Sequence, residues 1–278
     1  MADKIDAVVK TREITGKIFV ASLVRIDNLS EIEVAEKILQ ETKNYPGVFP
    51  EGYYNPPPAG VAVIFDQKPF DRVKYDSLRL PEFWPSSTFK FSKESVGMIY
   101  FSPLDRETNM LGDLGCTIYR GEDPEIKEHI KKCYYAMLAI AEHTQVGMSF
   151  SDICSFTTNF IKDKFTLSRW ITRNSNPAGM NLGHTVPGSY ESLDFGKSFE
   201  EIKETITKKR IFIKETEDFK IMKTCAFTIE SRLEDAHKQY LPSVHFHFIV
   251  CFDDGKKTII ENFQEIFKTV GMDYMNSR

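Results

Sequence analysis

Three short stretches carry side chains whose types and spacing could do chemistry. In Asn181-Leu182-Gly183-His184-Thr185-Val186-Pro187-Gly188, turn-forming residues hold a histidine on a loop. An imidazole titrates near neutrality, so His184 suits a metal ligand or a general base; the bland alternative is a histidine that hydrogen-bonds within its loop. Gly112-Asp113-Leu114-Gly115-Cys116-Thr117-Ile118-Tyr119-Arg120-Gly121 places Asp113 at the head of a strand-like run. Ala226-Phe227-Thr228-Ile229-Glu230 ends another such run on a carboxylate. The two carboxylates shift the balance away from the bland reading of His184.

Taken together and in this order, the three stretches resemble the family of methionine aminopeptidase, Xaa-Pro peptidase, prolidase and creatinase, from roughly residue 99 to the C-terminus. The resemblance implies the α+β pita-bread fold, a curved antiparallel sheet backed by helices. It implies one domain over residues 1–278, with an N-terminal helical part over about 1–60. It also implies a metal site of two Asp, one His and two Glu. Hard carboxylate oxygens and an imidazole there suit Zn, Mn, Fe or Co and acidify a bound water. On that pattern Asp113 matches the Asp that bridges both metals, His184 the histidine, and Glu230 the first Glu.

The remaining positions depart from the pattern. Ser102, within Tyr100-Phe101-Ser102-Pro103-Leu104-Asp105, stands for the first Asp, and Phe246, aligned on the Asp253-Asp254-Gly255 turn, stands for the last Glu. A hydroxyl is a poor substitute for a carboxylate and a phenyl ring cannot ligate, so a two-metal site is expected to be absent, and ordinary aminopeptidase activity with it. The peptidases' second histidine aligns near Glu191, which reads as a general acid or base beside His184 or as a solvated loop carboxylate. No histidine stands near Trp84, where an upstream one belongs. Asp113, His184 and Glu230 are expected to hold one divalent metal ion (Fe, Mn or Zn), or none. His245 and His247 alternate with Phe246, so a one-residue bulge would turn either into the vacant ligand slot; without it they point away and are structural. Asp105 looping inward is a further route.

Two functions follow. One is a divergent metallopeptidase-family enzyme, a C–N hydrolase or lyase acting on a small-molecule substrate, as creatinase uses this fold without metals. The other is a non-catalytic pseudo-peptidase serving as a binding module. For the enzyme, Tyr53-Tyr54 with Pro56-Pro57-Pro58, and the aromatic loop around Trp84, would wall a compact pocket. Polar ligands that are costly to bury unsatisfied favour it.

Bulk properties set the frame. The 278 residues are 41% hydrophobic and 27% charged, ordinary for a soluble globular protein. A net charge of −4 with interspersed signs argues against nucleic acid as a partner. No apolar run reaches a membrane span, and Met1-Ala2-Asp3-Lys4-Ile5-Asp6 lacks the apolar core of a secretory signal. Cys116, Cys133, Cys154, Cys225 and Cys251 are scattered, as reduced thiols of a cytoplasmic protein would be. A homodimer is compatible with all of this.

The elements that must position the three stretches can be read from local signals. Residues 3–24 suit an amphipathic helix, and Ser30-Glu31-Ile32-Glu33 caps a second one with Ile32, Ala35, Ile38 and Leu39 on one face. Strands are expected over 61–65, 96–101, 211–213, 223–230 and 244–252. Asp123-Pro124 starts a long helix, Ser149 another to about Lys164, and Ser198 a short one. A loop from Asn174 leads to His184, and a last helix is expected over 259–270.

Overall fold

Capping chemistry fixes where four of the helices begin, after Ser30, Asp123, Ser149 and Ser198, as expected. A computed structural model describes residues 2–167 and 182–276. The loop expected from Asn174, as far as Asn181, lies outside the described residues. Helix α1 spans Ala2–Leu23 and α2 spans Glu31–Thr42, the latter closed by the reciprocal box of Ser30 and Glu33. Strand β1 (Val48–Gly52) precedes β2 (Val61–Asp66), β3 (Val96–Phe101), β4 (Pro103–Asp105) and β5 (Leu114–Tyr119). Helix α3 (Pro124–His143) is capped by Asp123 with proline at its first position, and α4 (Phe150–Ile161) by the box of Ser149 and Asp152. Strand β6 (Phe165–Leu167) follows, then α5 (Phe199–Lys209), capped by Ser198 and Glu201. The chain ends in β7 (Cys225–Asp235), β8 (Val244–Asp253), β9 (Lys256–Ile260) and α6 (Gln264–Val270).

The strands form a curved antiparallel sheet in the order β2-β3-β5-β8-β7-β6, with β9 also paired to β8, while β1 and β4 make a separate small ladder. Helices back this sheet: α3 crosses β7 and β8, α2 lies on β2, and α1 touches β5, β8 and α6. This is the pita-bread architecture. Every residue of β3 and β5 is buried, so these strands read as continuous apolar runs rather than as an alternation. One face meets helices and the other meets the candidate site.

Three local expectations are corrected. The run 259–270 divides: Ile259 and Ile260 belong to β9, which continues the hairpin after the Asp254-Gly255 turn, and only Gln264–Val270 is helical. β-Branched Thr258, Ile259 and Ile260 pair with Cys251, Val250 and Ile249, and cross-strand burial outweighs their helical spacing. Residues 211–213 make only an isolated bridge, Phe212 to His184. On α2 the buried face is Glu31, Val34, Ala35, Ile38 and Thr42, whereas Ile32 is 41% exposed. The face is rotated because the Glu31 carboxylate is drawn inward by Arg72 (2.9 Å) and by the amides of Phe65 and Ser86. All five cysteines are free and buried. No helix among the described residues is long and apolar enough to cross a membrane.

Candidate functional site

The pairing of β7 with β8 decides which side chains meet. The ladder runs without a shift from Cys225 opposite Phe252 to Leu233 opposite Val244, and it sets Glu230 against His247, Ser231 against Phe246, and Arg232 against His245. Strand side chains alternate, so Glu230, His247, Arg232 and His245 share one face. Phe246 points to the other, into a nest of Tyr134, Phe263 and Phe267 at ring-centroid distances of 5.1, 5.5 and 5.9 Å. Phe246, expected to stand for the last Glu of the site, thus faces away from Glu230, because a shift of one residue reverses the face in a period-2 element. His247 occupies that place, and no bulge is needed to bring it there. His245 is on the same face, but its Nδ1 meets Ser231 O at 3.3 Å and its ring lies over Gly115, where a Cβ would come within 2.5 Å of Nε2.

His184 is held by main chain on both sides. Glu230 N donates to Leu182 O, Thr228 N to His184 O and Val186 N to Ala226 O, each at 2.8 Å, while Ile213 N and Thr185 N bond across to the other edge. Gly183 makes this possible: at φ +145° a Cβ there would lie 1.9 Å from Thr228 O. Nδ1 of His184 is 2.9 Å from Thr185 O. A carbonyl only accepts, so Nδ1 carries the proton and the Nε2 lone pair faces outward. It faces Glu230 Oε1 at 3.5 Å and Asp113 Oδ2 at 3.8 Å.

Asp113 stands just ahead of β5, where that strand parts from β8; their ladder is the one pair Cys116 and Phe246. Arg12, on α1 and fully buried, fills the parting. Its guanidinium donates to the carbonyls of Asp113, His247 (2.6 Å) and Glu261 (2.7 Å). Tyr100 OH donates to Asp113 Oδ1 at 2.8 Å, whereas Oδ2 has no hydrogen-bond partner. Ser102 Oγ faces the same carboxylate from just outside hydrogen-bond geometry. The His247 ring stacks on Tyr100 and spans the carboxylates, with Nδ1 3.1 Å from Glu230 Oε2 and Nε2 4.0 Å from Asp113 Oδ2.

Burial governs the electrostatics. Asp113, His184, Glu230 and His247 are between 0 and 4% exposed. Desolvation pushes the Asp113 carboxyl above its ordinary range, against the pull of Ser102, Tyr100, Arg210 and Arg12. Desolvation, then the Arg210 charge, holds His184 down at about 3, and His247 is lowered well below its usual value by burial and then by Arg12. Both imidazoles are therefore neutral ligands in waiting.

The structure brings together Asp113, His184 and Glu230 and, of the two candidate histidines, His247, whereas Asp105 and Glu191 stay outside. Asp105 caps its own turn, accepting from Thr108 N and Oγ1 at 2.7 Å, and does not reach inward. Glu191 is half-buried beside Tyr190 rather than within the cluster. Trp84 is tied by its indole N–H to Leu78 O. Sequence reasoning missed Tyr100, Arg12 and Arg210. Alternation along 96–101 could have paired Tyr100 with Ser102; nothing local marks the two arginines.

Among the described residues, no group of three or more His, Cys, Asp or Glu side chains stands in a metal-holding arrangement. The geometry shows why. His247 turns one ring nitrogen to each carboxylate instead of pointing one nitrogen at a shared centre. The His184 Nε2 lone pair and Asp113 Oδ2 nonetheless face each other in the buried interior with Glu230 Oε1, and imidazole and carboxylate are donor types that suit a divalent cation.

No protein-family model and no curated protein sequence matches this chain. Solved structures do match in fold. An X-Pro aminopeptidase from Thermotoga maritima superposes with a TM-score of 0.63 at 14% identity, over 93% of this chain and 61% of that one. A prolidase from Pyrococcus furiosus gives 0.62 at 16% identity, over 93% and 64%. A proline aminopeptidase P II from Yersinia pestis gives 0.64 at 10% identity, over 98% and 60%. The chain spans about three fifths of the length of these proteins. It shares with these X-Pro aminopeptidases and prolidases the pita-bread fold, at low identity and with no complete metal cluster among its described residues.

Proposed function

We propose that this chain is a divergent enzyme of the pita-bread fold, a C–N hydrolase or lyase acting on a small substrate, with one divalent cation at most. The observation that carries the proposal is the convergence of acceptors: His184 Nε2, deprotonated because Nδ1 donates to Thr185 O, faces Glu230 Oε1 and the unpartnered Asp113 Oδ2. Buried acceptors facing one another cost several kcal/mol, roughly, unless a proton or a cation lies among them. Asp113, His184 and Glu230 would hold that cation, with His247 as a fourth donor once its ring turns. When bound, such an ion supplies Lewis-acid polarisation and an acidified water.

The chain's own residues do the rest. Tyr100 fixes Asp113 by its Oδ1, leaving Oδ2 directed at the reacting space. Without the cation, the raised Asp113 carboxyl would keep a proton on Oδ2 and give it to a leaving nitrogen; with the cation bound, Oδ2 would be a ligand and carry none. Arg12 holds the backbones of Asp113 and His247 at a fixed separation. The aromatic rings of Tyr53, Tyr54 and Tyr100 keep bulk water out.

A second reading, a non-catalytic binding module, is favoured by one observation: the cluster is almost wholly buried. The two are separated by assaying amine or ammonia release from small ureido, amidino and N-acyl compounds, with protein reconstituted with Mn, Zn or Fe(II). Turnover that falls by at least about a hundredfold in Asp113→Asn and in His184→Ala supports the enzyme. Wild-type protein that is loaded, folded and inert on every class supports the module.

A further inference from the structure

A cluster that is between 0 and 4% exposed can act on a substrate only if something covering it moves. Residues 72–86, between β2 and β3, supply a cover that is clamped at both ends. At one end the clamp is Arg232, on the site face of β7 two residues beyond Glu230. Its guanidinium lies 3.7 Å from the centroid of the Tyr75 ring and donates to Val73 O at 3.0 Å and to Tyr75 O. Asp66 Oδ2 accepts from Val73 N at 3.0 Å beside it. At the other end Ser86 N donates to the buried Glu31 carboxylate at 3.1 Å, and Ser86 O accepts from Ile32 N at 3.3 Å.

The stretch between the clamps is held differently. Residues 76–85 bond mostly to one another: Leu80 N to Ser77 O, Phe83 N to Leu80 O, Trp84 N to Pro81 O, and the Trp84 indole to Leu78 O. Among the described residues, they reach further by hydrogen bond at two places. Glu82 O accepts from Arg72, which belongs to the cover itself, and Arg79 Nη1 donates to Asn55 O at 3.3 Å. The Arg79 guanidinium also lies 4.7 Å over the Tyr54 ring. Leu78 is the one buried apolar side chain in the stretch, and Leu80 is 39% exposed. Few buried contacts between two fixed ends mark a segment that opens locally.

Beneath Arg79 a path of rings leads to the cluster. Tyr54 meets Tyr100 edge-on at 5.8 Å, and Tyr100 bonds Asp113 and stacks on His247 at 6.1 Å. These rings stay in place when the cover lifts, because Tyr53 N donates to Ser102 O at 3.0 Å and Tyr100 lies within β3.

We propose that residues 76–85 form a lid over Asp113, His184, Glu230 and His247, hinged at the Arg232 and Glu31 clamps and latched shut by Arg79 on Tyr54. Opening breaks one cation–π contact and one long hydrogen bond, uncovers Leu78, and leaves both clamps intact. The inference rests on the reading of this cluster as a reaction site. Its test reads access without turnover, so either can fail alone.

Diethyl pyrocarbonate modifies unprotonated imidazoles, and mass mapping of the metal-free full chain follows each histidine separately. His237 is exposed and reports the reagent; His129, buried on α3, reports global unfolding. Arg79→Ala is expected to speed modification of His184 and His247 by about tenfold, the factor that loss of one cation–π contact and one hydrogen bond gives. His129 and His237 are expected to keep their wild-type rates. Wild-type rates at His184 and His247 in Arg79→Ala, or a rise shared by His129, overturn the lid. A selective rise at the cluster in protein that turns over no substrate leaves the lid standing and counts against the enzyme.

Discussion

Glu230 and His247 stand directly opposite each other on β7 and β8, with His247 Nδ1 3.1 Å from Glu230 Oε2. One carboxylate and one imidazole are therefore neighbours in a sheet interior, while the phenyl ring between His245 and His247 faces the helices.

That relationship separates two adjacent residues experimentally. His247→Ala is expected to weaken metal retention by about tenfold or more. Phe246→Ala opens a cavity among Tyr134, Phe263 and Phe267 and should cost about 3–5 kcal/mol of stability, with the metal content of the folded fraction unchanged. Elemental analysis and urea denaturation read the two effects; the reverse assignment would mean the register is shifted by one.

Arg12 offers a second test. Replacing it by Met leaves the carbonyls of Asp113, His247 and Glu261 without their donor. Each orphaned group costs about 1–3 kcal/mol, so Arg12→Met should lose more than any surface arginine variant. An unfolding free energy within about 1 kcal/mol of wild type would contradict the clamp.

Four of the helices were legible because their signals are local. Ser30, Asp123-Pro124, Ser149 and Ser198 each bond amides within one turn, so the sequence itself contains both partners. That Asp113, His184 and Glu230 lie together was legible through their flanking residues. What could not be read depends on pairing at a distance. The place of His247 follows from the register against β7, β9 needs β8 to be a strand at all, and Arg12 meets Asp113 across 101 positions of chain. The Ile32 face failed for a similar reason: the residue that turns α2 is Arg72, far outside the helix.

That same pair carries a prediction. Glu31 has a fully buried carboxylate that accepts from Arg72, Phe65 N and Ser86 N. Glu31→Ala leaves Arg72 and two amides unmatched and should cost about 3–5 kcal/mol, against about 1 kcal/mol for Ser30→Ala at the cap. Chemical denaturation of both variants checks the ratio; equal losses would show that the Glu31 contacts contribute little.

His245 sets a pH dependence. Burial, then the charges of Arg232 and Arg12, lowers it from 6.5 to about 3, so it is neutral in the folded chain. Above pH 6.5 both states are unprotonated at this site and it contributes nothing to the slope. Below 6.5 the unfolded chain takes up a proton that the folded chain refuses, so stability falls by about 1.4 kcal/mol per pH unit down to about 3. His184 acts in the same direction, and the raised Asp113 opposes both at lower pH. In EDTA-treated protein between pH 6.5 and 5, His245→Gln should flatten the slope by about one proton. Coincident slopes would sink this account of His245.

The most direct measurement is elemental analysis of the purified chain, before and after exposure to Zn, Mn or Fe(II) and desalting, beside His184→Ala. About one equivalent in wild type, lost in the variant, is the expected result for a cluster of one imidazole and two carboxylates completed by His247. Two equivalents, or one that survives His184→Ala, would contradict the single-cation site.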